Sequence, residues 1–175
     1  QFGDWSSDVC SSDLSLVQGG FPIDLKTSKG ETCLMLALRG HHFEMAEQMI
    51  AHKADLHAVD NSNNYVVHHA AQNGDLALIR YLREKHKIDV NLPTKNQLRK
   101  TPLHLAAARG NISTIQLLCE LGANKNACDR DDKTPLFLSV MNGQEEAVRL
   151  LIQNGADVGA VMKDGSTLLH YAAQY

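Results

Sequence analysis

No stretch of this 175-residue chain approaches the roughly 18 consecutive apolar residues that mark a membrane-spanning helix, so the sequence offers no membrane span. Aromatic residues are scarce at 5%, and the single tryptophan, Trp5, stands in an atypical opening segment. An excess of positive charge is also missing: 17 Lys and Arg face 20 Asp and Glu, for a net charge of −3. That balance excludes the strongly basic footprint of a nucleic-acid-binding domain. The four cysteines form no C-x-x-C pair, and Cys33, Cys119 and Cys128 remain as an odd set once Cys10 of the opening segment is set aside. Such a set argues against a disulfide framework and for a reducing compartment, the cytoplasm or nucleus. Nucleophile-elbow, Walker, zinc-protease and dinucleotide motifs are all missing, so neither catalysis nor a cofactor is expected in this segment.

The opening segment, "GDWSSDVCSSDL" (3 to 14), is rich in Ser and Asp and stops abruptly at Ser15. It lacks the positive start and the apolar run of about 7–15 residues that a secretory signal needs. Its residues from Asp4 to Leu14 can be back-translated into the end of a widely used short-read sequencing adapter. Residues 1 to 14 are therefore expected to be non-native and disordered, and they carry no functional argument.

Behind Ser15 the chain repeats itself. Alignment of 30 to 58, 63 to 91, 99 to 127, 132 to 160 and 165 to 175 superimposes Thr32, Tyr65, Thr101, Thr134 and Thr167, at intervals of 33, 36, 33 and 33. Thr is a good N-cap, and Pro102 and Pro135 behind it sit where a missing N–H costs nothing, so an inner helix starts there. Gly74, Gly110 and Gly143 follow at one offset, where a left-handed residue ends the helix. A second, outer helix shows apolar residues at helical spacing, as in Ile112, Ile115, Leu118 and Leu121. Gly122 and Gly155 end it, and an extended hairpin leads to the next unit.

The period of 33 and the run Thr101-Pro102-Leu103-His104-Leu105-Ala106-Ala107 resemble the ankyrin repeat, whose signature is T-P-L-H-x-A. The resemblance covers 15 to 175 and implies an all-α solenoid of stacked helix-turn-helix units with β-hairpin fingers. The expected organisation is the end of a preceding repeat (15–26, with Gly20 at the helix-ending position), complete repeats at 27–59, 60–95, 96–128 and 129–161, and a truncated repeat at 162–175 that stops at Tyr175. The array is thus expected to continue at both ends. A unit cannot bury its own apolar stripe, so stacking supplies the stability. Repeats one and two depart from the signature at Cys33, Met35 and Tyr65-Val66-Val67. The fourth-repeat face around Val148 and Leu151 is expected to be partly uncovered.

Several residues invite a chemical reading. His68, His104 and His170 share one signature position, where the resemblance implies a structural histidine bonding between neighbouring repeats. His41-His42 beside Glu44 lacks the spacing of a two-histidine metal site, and no metal is expected. Ser139 and Cys119 read as small core residues, and Met35, Met45, Met49 and Met162 as gap-fillers.

The resemblance also implies a concave surface of finger tips and inner helices that binds another protein, with the array itself monomeric. Carried over by offset, the partner-binding candidates are Arg39, Asn64, Gln72, Asn73, Lys100, Arg109, Lys133, Met141 and Asn142. Further finger-tip positions are Lys29, Glu31, Asn61, Ser62, Gln97, Arg130, Asp131, Lys163 and Asp164, and Ala108 lies on an inner helix. The 36-residue interval adds three residues within 83 to 100, which hold six Lys and Arg against two acids, with Leu98 near the tip. This region is either a protruding basic finger for an acidic partner or a solvated loop with a tolerated insertion. A substrate-recruiting or autoinhibitory segment of a larger enzyme, channel or secreted effector is the rival to a free-standing binding module.

Overall fold

A computed structural model describes residues 23–173. The adapter-like segment 1–14, Gly20 and Tyr175 lie outside the described residues. The chain divides into two compact units, Gln1–Val66 and Val67–Tyr175.

In the first unit, α1 (Cys33–Arg39) and α2 (Phe43–Ala51) pack against each other. Thr32 caps α1, its hydroxyl accepting from the Met35 N–H at 3.2 Å. Leu34, Met35, Ala37 and Leu38 from α1 and Ala46 and Met49 from α2 form the core. Two fingers flank the pair: Asn61 N–H donates to the Lys29 carbonyl (3.0 Å), and the Asn61 amide to that of Ser28 (2.8 Å).

The second unit holds α3 (Val66–Asn73), which begins at its boundary, α4 (Leu76–His86), α5 (Pro102–Arg109), α6 (Ile112–Glu120), α7 (Pro135–Met141), α8 (Glu145–Gln153) and α9 (Leu168–Ala172). Inner helix α7 packs on α5 and α9, and outer helix α8 on α6 and α7. Leu78, Ile79, Leu82, Leu103, Ile115, Leu118, Leu136 and Leu151 are fully buried. Thr101, Thr134 and Thr167 are N-caps, and Pro102 and Pro135 open their helices as the sequence predicts. Gly110 takes φ +70 behind α5, and His41 adopts φ +60 at the equivalent position of the first unit. The expected stripe on α6 is shifted: Thr114, Ile115, Leu117 and Leu118 are buried, whereas Ile112 and Leu121 are half-buried.

Among the described residues the fingers carry little β pairing, which is confined to isolated bridges at Lys26–Thr32 and Val161–Thr167. One backbone bond across each loop, such as Asp60 N–H to the Asn64 carbonyl and Asp129 N–H to that of Lys133, is joined by side-chain closures. The Asp60 carboxylate accepts from the N–H groups of Ser62 and Asn64, and Asp129 does the same for Asp131 and Lys133. The residue two places before each helix cap is left-handed throughout, as Gly30, Asn63, Arg99, Asp132 and Gly165.

Two expectations need correction. Leu151 is fully buried, because its register on α8 turns it toward α6 and α7; the exposure expected there falls on Ile152, at 44%, and on half-buried Val148. Val140 and Val148 wall an open recess with Gln144, Glu145 and Arg149. Glu31 is no exposed finger-tip residue: it is 8% exposed and ion-paired with Arg39. A carboxylate held that far from water needs such a counter-charge.

Candidate partner-binding surface

The fingers of the second unit are joined edge to edge. Arg130 N–H donates to the Leu98 carbonyl at 3.0 Å, and Lys163 N–H reaches the Asp131 carbonyl at 3.5 Å. The Arg130 guanidinium donates to Gln97 Oε1 at 2.6 Å, and the Lys163 ammonium to the Arg130 carbonyl. Backbone groups at the edge of a loop would otherwise be left to water; here each tip satisfies its neighbour.

Buried histidines tie this row to the helices. His68 Nε2 lies 3.1 Å from the Lys100 carbonyl, and His104 Nε2 lies 3.0 Å from that of Lys133. A carbonyl can only accept, so Nε2 of His104 carries the proton and Nδ1 is the acceptor for the Thr101 N–H (3.1 Å) and hydroxyl (2.8 Å). Burial holds the His104 pKa below the ordinary value, with partial opposition from its bond to Lys133. The histidine is thus neutral and structural, and it fixes the backbone from which the Lys133 side chain projects.

The candidate residues fall into three settings. Lys100 and Lys133 stand on fingers, half-buried, with their carbonyls taken by His68 and His104. Gln72, Asn73, Arg109, Met141 and Asn142 lie at the C-terminal ends of inner helices α3, α5 and α7. Arg109 and Asn73 are exposed, Gln72 and Met141 half-buried. Asn142 is exposed, but its amide is turned back onto the Leu138 carbonyl at 2.7 Å. In the first unit, Arg39 is bound to Glu31, and the Asn64 N–H is held by Asp60 at 2.9 Å.

Ser139 is buried and donates to the Leu136 carbonyl. Burial raises the pKa of the half-buried Cys119 thiol, which lowers its thiolate fraction and its nucleophilicity. His41 and His42 are exposed at the turn between α1 and α2.

Sequence reasoning missed a second row of contacts at the base of the fingers. Asn124 N–H donates to Asn91 Oδ1 (2.6 Å), Asp157 N–H to Asn126 Oδ1 (2.9 Å), and Asp55 N–H to Asp24 Oδ1 (3.0 Å). The available signal was Asn91 and Asn126, each two residues beyond the Asp89 or Asn124 that follows an outer helix. It also missed Thr94, which replaces Asp at the finger-closing position.

A family sequence model described as ankyrin repeats (3 copies) matches residues 13–94 and 103–175. An ankyrin repeat protein of Rickettsia felis is 30% identical over 116 residues, covering 66% of this chain and 38% of that protein. Ankyrin repeat domain-containing protein 63 of Homo sapiens is 31% identical over 104 residues, 59% of this chain and 27% of its own length. A probable E3 ubiquitin-protein ligase of Oryza sativa, XBOS32, is 26% identical over 137 residues, 62% of this chain and 28% of its own length. The chain therefore spans well under half of each of these relatives. Ankyrin repeats are in general protein-interaction modules, some of them parts of larger enzymes. The match across most of its length, together with the capped helix pairs and joined fingers, shows that this chain belongs to the ankyrin-repeat family.

Proposed function

We propose that the chain is a non-catalytic protein-interaction module that presents a rigid surface of finger tips and inner-helix ends to another protein. The observation that carries this reading is the edge-to-edge bonding of the fingers in the second unit, anchored from below by His68 and His104. Groups fixed before binding need no further ordering, so less of the contact energy is lost on association. Arg39, Lys100, Arg109, Lys133 and Met141 are the side chains we expect to dominate. The test is alanine substitution at these five against a partner purified and titrated with the chain. Weakening of at least about tenfold at a minority of them supports the reading. Unchanged affinity at all five contradicts it.

A second reading is favoured by the rice relative and by the share of each relative that the chain covers: the array recruits substrates for, or inhibits, a larger enzyme. The complete reading frame of the source gene tests it, through a catalytic motif outside residues 15–175. We propose a cytoplasmic or nuclear location, supported by the odd set of cysteines without a C-x-x-C pair.

A further inference from the structure

The three residues added by the 36-residue interval are split between two places. One extends the outer helix, so that α4 runs eleven residues and its left-handed terminus falls at Lys87; the other two enlarge the finger at 94–100. Thr94 spans this finger: its N–H donates to the Lys100 carbonyl (2.8 Å), and its hydroxyl accepts from the Lys100 N–H (3.0 Å). That hydroxyl donates to Asn96 Oδ1 at 2.8 Å, and Asn96 Oδ1 also accepts from the Leu98 N–H at 3.0 Å. The loop is therefore closed without a carboxylate, as Thr27 closes the first finger, whereas the fingers before and after it in sequence use Asp60 and Asp129.

The exchange of Asp for Thr94 changes the charge of the tip. Residues 94–100 contain Lys95, Arg99 and Lys100 and no acid, while the next finger, 129–133, sets three Asp against Arg130 and Lys133. Arg130 lies against the basic finger through Gln97 and Leu98. Leu98, next to Arg99 in the chain, is 46% exposed. An isolated exposed leucine is ordinary, but one on a closed, hydrogen-bonded loop whose charged residues are all basic, and bonded through its carbonyl to Arg130, has the form of a contact site.

We infer that this finger binds an acidic segment of a protein partner, with an aliphatic or aromatic side chain set on Leu98 between carboxylates that face Lys95, Arg99 and Arg130. The inference rests on the protein-interaction reading above and names the partner class for one part of that surface. A nucleic-acid strand suits the finger less well: the tip has no aromatic side chain on which a base could stack, and Asp131 and Asp132 in the adjoining finger repel a continuous phosphate backbone. Charge complementarity of this kind speeds encounter and selects against wrong partners.

The test uses the whole chain as bait for random dodecapeptides displayed on phage, with oligothymidylate as a second probe. Enriched peptides should place Asp or Glu around one apolar residue. Their synthetic versions should bind more weakly as salt rises. Leu98→Asp with Arg99→Asp should reduce that binding by at least about tenfold, as should Lys95→Glu separately. The paired change is compatible with the fold because Asp131 and Asp132 hold the same places in the next finger, with Asp132 at φ +59 against +53 for Arg99. An unchanged melting temperature verifies it. Peptides without acidic enrichment, or acidic peptides insensitive to these changes, overturn the inference and leave the module reading to the alanine series. Binding of oligothymidylate alone, abolished by the same changes, overturns it in favour of nucleic acid.

Discussion

His104 shows how one side chain joins two units of the repeat. Its imidazole satisfies the Lys133 carbonyl on one side and the buried Thr101 N–H on the other; its removal would strip the Thr101 N–H of this acceptor and leave the Lys133 carbonyl with the Asp129 N–H alone. His104→Ala should therefore cost about 2–4 kcal/mol in urea unfolding, and loss below about 0.5 kcal/mol would contradict the anchoring role. The pH dependence follows from the same geometry. Burial depresses the folded-state pKa, so the unfolded chain binds the proton more readily. The contribution of His104 is fully present above its unfolded pKa of about 6.5 and is lost as pH falls below that value, by at most about 1.4 kcal/mol per pH unit. The stability profile of the wild type, compared with His104→Gln between neutral pH and pH near 5, reads this directly: the wild type should lose more stability on acidification. Parallel profiles would contradict the assignment.

The helix pair and its finger obey different constraints. Gly110 and Gly143 both end inner helices at positive φ, +70 and +66, so alanine is strained at either. A methyl group at Gly110 would also lie 2.1 Å from Gln144 Oε1, whereas Gly143 faces open space. Gly143→Ala should cost about 1–2 kcal/mol, and Gly110→Ala more than that. Equal losses would show that Gln144 swings away freely. On α6, Leu118→Ala should cost about 2–5 kcal/mol, because the side chain is fully buried. Gln97→Ala on the exposed finger should change stability by less than about 0.5 kcal/mol, and similar effects at the two sites would contradict the assignment of core and surface.

For the whole molecule, most of the repeat frame was legible because it depends on local chemistry. Thr caps, Pro at the first helical position and Gly at left-handed turns each mark a backbone requirement that the sequence displays directly. What escaped depends on contacts between side chains distant in sequence. Glu31 looked like a finger-tip acid because its burial comes from the pairing with Arg39, eight residues away. The closure by Thr94 and the Asn91 to Asn124 link could be recognised only once the loops were in place. The burial of Leu151 escaped for the same reason: α6 and α7 cover it, and the exposure falls on Ile152 beside it.

A partner should meet the finger tips and inner-helix ends and leave the outer helices free. Amide hydrogen exchange of the chain, alone and saturated with a purified protein partner, tests it most directly. New protection is expected in residues 94–101 and 129–134 and at the C-terminal ends of α5 and α7, with α6 and α8 unchanged. Protection concentrated on α6 and α8 would contradict it.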